Sequence, residues 1–469
     1  MSLELSMLAE LKANIQAYPT IGRWVVAYSG GVDSTALLHL LFKANQQLDK
    51  PLAIAVLHVN HQLSPLANDW QNHCKQTALN LGVEFFSEKV DVDQTGQGVE
   101  AAAREARYAV FDAFLSENDR LLMGHHADDQ AETVLLRLMR GAGVLGLSAI
   151  PAKRKLGQSY LLRPLLHVRR NILVDYAELH ELSWVEDESN ASESFDRNYL
   201  RHKVMPLLES RWPQANKQLI KTAVYSQQAQ ILLSNLAAID LNTIDHRTER
   251  YGVSVDWKKL KAFSVERINN VMRHWCEQQN LSAPDSQQLK QIHEQFFSTN
   301  AMLTSAIVDW AGTSQASDSD EKVERVERIE LRQFNQRLYL MPALKTFSVA
   351  GGNNSNIQWD AKSNLDLGAA GQLHIDSSFR GLHLPDSLCG RKIDVSWRKG
   401  GERCTPAGRS SSQTVKKLLQ EYQLETWLRD RVPLLYIDDQ LAAVGDLWVC
   451  EEFMAKQSET VFNMVWKIH

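Results

Sequence analysis

Residues 24–34 constrain the fold of this chain more than any other stretch. An apolar run over 24–28 leads into a helix-like segment over 35–43 through six residues, Ser29, Gly30, Gly31, Val32, Asp33 and Ser34. A glycine pair between a strand and a helix lets the backbone turn tightly and directs its N–H groups outward. These groups and the helix N-terminus favour an anion such as phosphate. The segment therefore predicts a strand–loop–helix unit that binds phosphate.

Asp33 is the unusual member of this loop, because a carboxylate repels phosphate unless a cation lies between them. Mg²⁺ would resolve that conflict, so we predict Asp33 as a magnesium ligand. Ser29 and Ser34 add hydroxyl donors. The alternative is a strand–turn–helix in which Asp33 or Ser34 only caps the helix, and it accounts for fewer of these residues.

Strand and helix signals alternate from residue 24 to about residue 180. This order predicts an α/β fold with a doubly wound, mostly parallel sheet that is covered by helices on both faces. The segments that begin at Ser29, His58 and His125 each follow a predicted strand, which is where such sheets bind ligands. We divide the chain into a catalytic domain over 1–212, a linker helix over 213–239, a mainly helical middle domain over 240–342, a linker over 343–385, and a small C-terminal α+β domain over 386–469.

The composition is ordinary for a globular protein, with 44% apolar and 23% charged residues among 469. No apolar run reaches the roughly 18 residues of a membrane span, and the N-terminus lacks the pattern of a signal peptide. The five cysteines are scattered and form no Cys-x-x-Cys pair, which argues against disulfides and closed metal sites. We therefore expect a cytoplasmic protein with no membrane partner. The net charge of −5 means that any nucleic-acid contact must be local.

A second cluster of functional groups spans residues 124–133, where a predicted strand ends and a helix begins. Asp129 and Glu132 are three residues apart on one helix face, and His125 precedes them. Capping by Asp128 and dipole compensation explain one or two of these residues, but not the whole set. Since clustered acids and histidines usually mark sites, we predict His125, Asp129 and Glu132 as catalytic.

Two further segments leave alternatives open. Arg104 and Arg107 share a predicted helix face, where they either form surface ion pairs or direct a guanidinium at phosphate. An acidic turn over 186–190 precedes the arginines of the segment 196–201. It suits a solvated loop, the ammonium and carboxylate of an amino acid, or RNA phosphates.

Residues 29–34 resemble the PP-loop of the N-type ATP pyrophosphatases, which bind ATP, release pyrophosphate and adenylate a substrate. No Gly-Lys-Ser/Thr follows, so this is not a Walker loop. A whole series of elements resembles the tRNA(Ile)-lysidine synthetase family: 29–34, 58–61, 125–133 with the glycine-rich run 140–147, 186–190, 197–201, 398–403, 416–421 and 427–435. Two departures are the run 62–65, where the family commonly has a basic residue, and Ala142, where it often has serine.

The resemblance implies ATP-dependent ligation of L-lysine to C2 of the wobble cytidine in the CAU anticodon of tRNA(Ile). An adenylated tRNA is the intermediate, and lysidine, AMP and pyrophosphate are the products. ATP and Mg²⁺ are the implied cofactors, tRNA(Ile) and L-lysine are the implied partners, and a homodimer stays open. The ATP-binding residues would be those of the loop together with His58. Arg104 joins the predicted catalytic residues.

The resemblance also implies lysine- and tRNA-binding residues, which in the catalytic domain are Asp187, Asn190, Arg197, Asn198 and Arg201. The lysine ε-amine must lose a proton before it can attack, since its ordinary pKa is about 10.4. Asp129 or Glu132 is the predicted base.

A basic stretch over 391–409 contains glycines and lies close to two further lysines on a predicted helix. This pattern suits contact with a phosphate backbone, with a solvated loop as the alternative. We predict that tRNA is bound here by Arg398, Arg403, Lys416 and Lys417. The middle domain is also expected to contact tRNA. The rival functions are another PP-loop tRNA-modifying enzyme, such as a thiolase, and a non-catalytic tRNA-binding protein. Thiolation usually needs paired cysteines, which this chain lacks.

Overall fold

The computed structural model describes residues 2–92, 99–188, 195–298, 306–312, 328–347, 357–376, 382–385, 390–455 and 461–468. The described residues up to Ser234 form one compact unit, and those from Asn235 onward form a second. Nowhere in these ranges does a helix combine the length and the apolar composition that a membrane span requires.

A six-stranded sheet forms the centre of the first unit. Its strands are β1 (Arg23–Ala27), β2 (Ala53–Asn60), β3 (Glu84–Lys89), β4 (Asp119–Leu122), β5 (Lys153–Leu156) and β6 (Ser159–Leu162). They lie in the order β3-β2-β1-β4-β6-β5, and only β5 runs antiparallel to its neighbour. The predicted doubly wound, mostly parallel sheet is therefore confirmed. The chain reverses its direction of travel across the sheet between β1 and β4, which is where such sheets bind ligands.

Helices cover both faces of this sheet. The helices of this part of the chain are α1 (Leu3–Ala17), α2 (Val32–Asn45), α3 (Ala67–Leu81), α4 (Val99–Phe114), α5 (Ala127–Met139), α6 (Val144–Leu147), α7 (Arg170–Leu179), α8 (Asp196–Tyr199), α9 (Met205–Arg211) and α10 (Ala215–Thr243), the last of which continues past Ser234. Trp24 and Val26 of β1 belong to a core with α1, α2, α3 and α7, whereas Val25 packs with α4 on the opposite face. Burial on both faces explains why β1 reads as an unbroken apolar run.

A π-helical turn, Leu200–Val204, joins α8 to α9. The N–H of Met205 bonds to the carbonyl of Leu200, and Pro206, which has no N–H to continue the ladder, follows directly. Leu200 and Met205 pack against Ala131 and the neighbouring turn of α5. Such turns are rare and are frequent at functional sites.

The first part of the second unit contains the predicted helices together with a sheet that the sequence analysis does not predict. The helices are α11 (Trp257–Lys261), α12 (Val265–Gln278) and α13 (Ser286–Ile292), with a π-helical turn at His293–Phe297. The strands are β7 (Arg247–Thr248), β8 (Val253–Asp256), β9 (Ile307–Ala311), β10 (Arg328–Phe334) and β11 (Arg337–Pro342). They form an antiparallel sheet in the order β7-β8-β11-β10-β9.

The rest of the second unit is built from short antiparallel strands and one helix, α14 (Val415–Glu421). One sheet has the order β12-β16-β19-β20-β21, a second has the order β13-β14-β22-β15, and a third pairs β17 with β18. The strands are β12 (Ile357–Trp359), β13 (Leu365–Asp366), β14 (Gln372–Asp376), β15 (Leu382–Pro385), β16 (Ile393–Ser396), β17 (Arg403–Cys404), β18 (Gln413–Thr414), β19 (Leu434–Ile437), β20 (Gln440–Val444), β21 (Trp448–Val449) and β22 (Val461–Lys467).

The linker predicted over 343–385 needs a correction. Its described part supplies β12 to one sheet and β13, β14 and β15 to another, through pairing with β16 and β22. Trp359, Leu373 and Leu384 are buried in the same core as the strands that follow. These strands have two to five residues each, which is too short for a clear alternation of apolar and polar residues. The polar and glycine-rich residues around them therefore made the segment look like a linker.

Candidate active site

The loop over residues 29–34 joins the end of β1 to the start of α2. Gly30 has a φ of +86°, and Gly31 is the N-cap of α2 without any side-chain capping bond. Ser34 Oγ donates to the carbonyl of Gly31 at 3.0 Å and lies 3.2 Å from Ser29 Oγ. The first-turn N–H groups of α2 are therefore not covered by a side-chain cap, which is the arrangement that a phosphate needs.

Gly124, at the end of the segment that follows β4, lies against the backbone of this loop. A Cβ atom at this position would be 3.0 Å from the Asp33 carbonyl oxygen and 3.2 Å from the Ser34 nitrogen. A Cβ on Gly30 would lie 2.9 Å from both Cys74 Sγ and a methyl of Val185. Both glycines are thus needed for close approach, and at Gly30 the positive φ adds a second reason.

The side chain of Asp33 fits a magnesium ligand. Its Oδ1 is buried and has no hydrogen-bond partner among the described residues. The described residues contain no group of three or more histidine, cysteine, aspartate and glutamate side chains that could enclose a metal, so a cation here would rely on Asp33 together with ligands from outside the protein. Mg²⁺ usually takes one or two carboxylates and completes its octahedron with phosphate oxygens and water. Asp33 at the phosphate loop meets that requirement.

His126 links Asp33 to the acids of α5. Its Nε2 lies 3.6 Å from Asp33 Oδ2 and 3.5 Å from Asp129 Oδ2, while its Nδ1 accepts the N–H of Asp129 in a capping box. Burial lowers the pKa of His126. The hydrogen bond to Asp33 and the charges of Asp129 and Asp128 outweigh burial, so the pKa is raised. His126 therefore links the loop to α5: its Nδ1 accepts from Asp129, and its Nε2 carries the proton that faces the two carboxylates.

Asp129 and Glu132 form a four-membered cluster with two arginines of the α8 region. Glu132 is 2% exposed, and it accepts from Arg197 Nε at 3.0 Å and from Arg201 Nε at 2.7 Å. Asp129 Oδ1 accepts from the same two guanidinium groups at 2.8 and 3.2 Å. Burial raises the pKa of Asp129, but the charges of His126 and Arg197 outweigh it and the pKa is lowered.

His125 faces a different set of partners. Arg163 Nε donates to His125 Nδ1 at 3.2 Å, so Nδ1 is the accepting nitrogen and Nε2 carries the proton. Burial lowers the pKa of His125 to about 3, and the charges of Arg163, Arg197 and Arg104 contribute. His125 is thus a neutral hydrogen-bond donor at physiological pH. Arg104 lies near it, over the ring of Tyr108 at 5.2 Å.

The low pKa of His125 predicts a pH-dependent stability. The unfolded chain takes up a proton below pH 6.5 and the folded chain does not, so the folded state loses stability as pH falls, by up to about 1.4 kcal/mol per pH unit. Urea unfolding of His125→Asn should show a smaller loss between pH 6.5 and 5 than the wild type. The exposed His167→Asn serves as the control. Equal losses in all three proteins would contradict the assignment.

His58 and Val185 support the loop from its other sides. His58 is buried, and its Nδ1 donates to the carbonyl of Tyr28, directly before the loop, at 2.9 Å. The N–H of Val185 bonds to the carbonyl of Gly30 at 2.9 Å, and Asp187 follows two residues later in the chain. Asn190 lies outside the described residues, and Asn198 is on α8 between the clustered arginines.

A cavity of about 370 Å³ opens beside these groups. It is lined by Asp128, Glu132, Arg169, Arg170, Asn171, Val174, Asp175, Arg201, Met205, Pro206, Glu209 and Asn216. Both signs of charge face it, which suits a zwitterion. Gly124 and His126 belong to the predicted cluster 124–133, although no individual role was predicted for them, whereas Arg163, Arg169 and Arg170 were not predicted as functional residues. Arg169 and Arg170 could have been found, because they follow β6 as His125 follows β4.

Some of the predicted tRNA-binding residues of the C-terminal region lie close to one another. Arg403 pairs with Thr414, the N-cap of α14, so it lies next to the helix that presents Lys416 and Lys417 to solvent. Arg398 forms an ion pair with Asp430 instead. Three of the four basic residues therefore share one surface of the second unit.

Three protein-family profiles match the chain. A PP-loop domain matches residues 4–208, a TilS substrate binding domain matches residues 256–339, and a TilS substrate C-terminal domain matches residues 393–466. Each match falls on one of the structural regions described above.

Curated relatives match over nearly the whole length. A tRNA(Ile)-lysidine synthase from Coxiella burnetii is 41% identical over 441 residues, which cover 94% of this chain and 92% of that protein. Another from Legionella pneumophila is 37% identical and covers 94% of this chain and 95% of its own. Among solved structures, the U34-tRNA thiolase NcsA from Methanococcus maripaludis is 17% identical, with a TM-score of 0.38 over 47% of this chain and 78% of its own. That similarity is too low to support an argument.

Proposed function

The chain belongs to the tRNA(Ile)-lysidine synthase family, and we propose that it joins L-lysine to C2 of the wobble cytidine in the CAU anticodon of tRNA(Ile). The reaction consumes ATP and forms a carbon–nitrogen bond, so the protein is a ligase. The cytidine O2 first attacks the α-phosphorus of ATP, and pyrophosphate leaves. The ε-amine of lysine then attacks C2, and AMP leaves.

One observation carries this proposal. A phosphate loop with a carboxylate oxygen that accepts no hydrogen bond among the described residues lies next to a paired cluster of two acids and two arginines, and His126 connects the two. The loop suits the triphosphate, whereas the cluster and the cavity beside it suit the charged groups of an amino acid. A protein that only binds tRNA has no need of either feature.

The loop and its metal would act on the first step. Asp33 is the residue that would hold Mg²⁺, and the ion when bound would neutralise charge on the phosphates. The N–H groups at the start of α2 stabilise the charge that develops on the α-phosphate as O2 attacks. His125, a neutral donor fixed by Arg163, supplies a hydrogen bond from Nε2 without exchanging its proton.

The acid–arginine cluster would bind lysine, with Arg201 and Glu132 at the wall of the cavity. The base role of Asp129 or Glu132 stays a prediction. Both carboxylates are engaged by guanidinium groups, and the pKa of Asp129 is lowered. In this arrangement, the two carboxylates are better suited to orient Arg197 and Arg201 than to take a proton from lysine. Arginines beside the bound ammonium would themselves favour loss of its proton by charge repulsion.

The test is incorporation of lysine into tRNA. The protein is incubated with ATP, Mg²⁺, radiolabelled lysine and an unmodified tRNA(Ile) transcript, with a second transcript whose wobble base is uridine as control. Label that resists mild alkali should enter the first transcript alone, because an aminoacyl ester would hydrolyse. Cleavage of ATP to AMP and pyrophosphate without label would point to another nucleophile, as in a thiolase. No ATP cleavage would favour a non-catalytic protein.

We also predict that the basic surface around α14 binds the tRNA backbone. A triple variant, Arg403→Ala, Lys416→Ala and Lys417→Ala, should bind tRNA more weakly. The slope of log affinity against log salt should fall by about 2, since each lost phosphate contact lowers it by roughly 0.7–0.9. The control removes the exposed Lys12, Lys50 and Lys75 of the first unit and loses the same charge. Identical salt slopes for both variants would reject this surface.

The compartment and the assembly are also proposals. The described cysteines, Cys74, Cys276, Cys404 and Cys450, are all free, as a reducing cytoplasm would keep them. A homodimer stays a prediction.

A further inference from the structure

Asp128 has no part in the mechanism above, yet its carboxylate is fully engaged. Its Oδ1 accepts from Asn216 Nδ2 at 3.1 Å and forms an ion pair with Arg169 Nη2 at 2.9 Å. Its Oδ2 accepts from Arg169 Nε at 3.2 Å and from the backbone N–H of Arg170 at 2.8 Å. Three hydrogen bonds and this ion pair occupy both oxygens of the carboxylate. Asp128 is therefore placed to hold other groups and not to bind substrate itself.

The groups that it holds form the start of α7. Arg169 is the N-cap of this helix and makes no side-chain capping bond. Asp128 supplies the missing cap from another helix by accepting the N–H of Arg170. In the reverse direction, the N–H of Ala127 donates to the carbonyl of Val168 at 2.8 Å. Two bonds of opposite direction fix the start of α7 relative to the start of α5.

This arrangement leaves one guanidinium available beside the phosphate loop. Arg169 is occupied by Asp128 and by Glu209, at 3.0 Å. The side chain of Arg170 is 45% exposed, and its only ion pair among the described residues is Nε to Asp33 Oδ1 at 3.7 Å. A guanidinium has five N–H donors, and its planar fork matches phosphate oxygens. Most donors of Arg170 remain free for a ligand that reaches Asp33.

We propose that Arg170 binds the triphosphate of ATP and stabilises the departing pyrophosphate, and that Asp128 is the positioning residue that holds Arg170 there. The proposal rests on the proposed function, because it takes ATP as the ligand at Asp33. Without ATP, Arg170 neutralises Asp33. When ATP is bound, the guanidinium of Arg170 donates hydrogen bonds to phosphate oxygens. As the bond from the α-phosphorus to the bridging oxygen breaks, the electron pair goes to pyrophosphate, and the added charge lies against Arg170.

The test measures the first half-reaction, pyrophosphate release with tRNA and no lysine, and separately the KM for lysine in the full reaction. Arg170→Ala should raise the KM for ATP or lower kcat by about tenfold to a hundredfold, as expected for a charge-assisted hydrogen bond. Arg170 also lines the cavity beside the acid–arginine cluster, so the KM for lysine separates the two ligands: it should stay within about twofold of the wild type if Arg170 serves ATP. Arg170→Lys should restore part of the activity, since it keeps the charge and loses the fork. Arg211→Ala, an exposed arginine at the end of α9, is the control.

Asp128→Asn separates positioning from a general structural role. It should change the KM for ATP or kcat in the same direction as Arg170→Ala, but by a smaller factor. The double variant should lose no more activity than Arg170→Ala alone, because Asp128 acts through Arg170. Additive losses would overturn the positioning role. If Asp128→Asn fails to fold, Arg170→Ala and Arg170→Lys still decide the role of Arg170.

Other outcomes would overturn the assignment of Arg170 itself. A higher KM for lysine with an unchanged KM for ATP would place Arg170 with the amino acid, and a higher KM for tRNA alone would place it with RNA. A failure of the proposed function can be told apart from a failure of this proposal. If the wild-type protein releases pyrophosphate but never incorporates lysine, lysidine formation is refuted, but pyrophosphate release by the wild type and the Arg170 variants can still be compared.

Discussion

An Asp33→Ala enzyme is expected to release pyrophosphate about a thousandfold more slowly than the wild type. Metal-held charge stabilisation of a phosphoryl group contributes several kcal/mol, and about 4 kcal/mol corresponds to that factor. Asp33 is the carboxylate of the phosphate loop, and its buried Oδ1 has no hydrogen bond within the described part of the chain. The measurement is pyrophosphate release in the presence of tRNA, with tRNA affinity measured in parallel.

Two further variants make this result specific. Asp69→Asn removes an exposed acid from the first turn of α3, as Asp33 lies in the first turn of α2, and it should behave like the wild type. Asp33→Cys should be inactive with Mg²⁺ and should regain activity with Cd²⁺ or Mn²⁺, because a thiolate prefers softer metals. Full pyrophosphate release by Asp33→Ala would exclude Asp33 as a metal ligand.

The second large effect is expected at Glu132. Its carboxylate accepts three N–H bonds from Arg197 and Arg201, and it is almost completely buried. Glu132→Gln removes the charge and directs amide hydrogens at guanidinium groups. We expect the free energy of unfolding to fall by about 3 kcal/mol, as when one partner of a buried ion pair is removed. Lysidine formation should fall as well, because both arginines lose their orientation.

Urea unfolding of the ligand-free protein measures this change. Asp196→Asn is the matched control, since Asp196 precedes Arg197 and forms an exposed ion pair with Arg140, with 73% and 66% of their side chains accessible. Exposed pairs of this kind contribute little. If Glu132→Gln unfolds at the same urea concentration as Asp196→Asn, the cluster does not stabilise the fold.

The first unit could be predicted because its central strands β1, β2 and β4 are buried on both faces. Val25 packs on one side of β1 and Val26 on the other, so the strand appears as a continuous apolar run that helices interrupt at regular intervals. The sheet of the middle region lacks that signal. In β10, Ile329 and Leu331 are buried while charged residues alternate with them, and β9, one of its two partners, is separated from it by a polar stretch of sequence.

Many individual residues of the candidate site could be predicted from the sequence. The contacts between them could not. Clustered acids and histidines indicated Asp129 and Glu132, and the phosphate loop indicated Asp33. No spacing rule could pair Asp129 with Arg197, 68 residues further along the chain. The same holds for Asp128 and Asn216, which are 88 residues apart. Such contacts depend on which strand ends lie side by side, and local sequence does not contain that information.

The π-helical turn at Leu200–Val204 restricts how many residues this segment of the chain can have. Its extra residue lies between Arg197, which points at the acids of α5, and the buried Met205, which packs against the same helix. Deleting one residue would relax the turn to an α-helix and rotate everything after it by about 100°. Met205 would then leave its packing while Arg197 kept its partners. Gaps in an alignment of relatives should therefore avoid this turn.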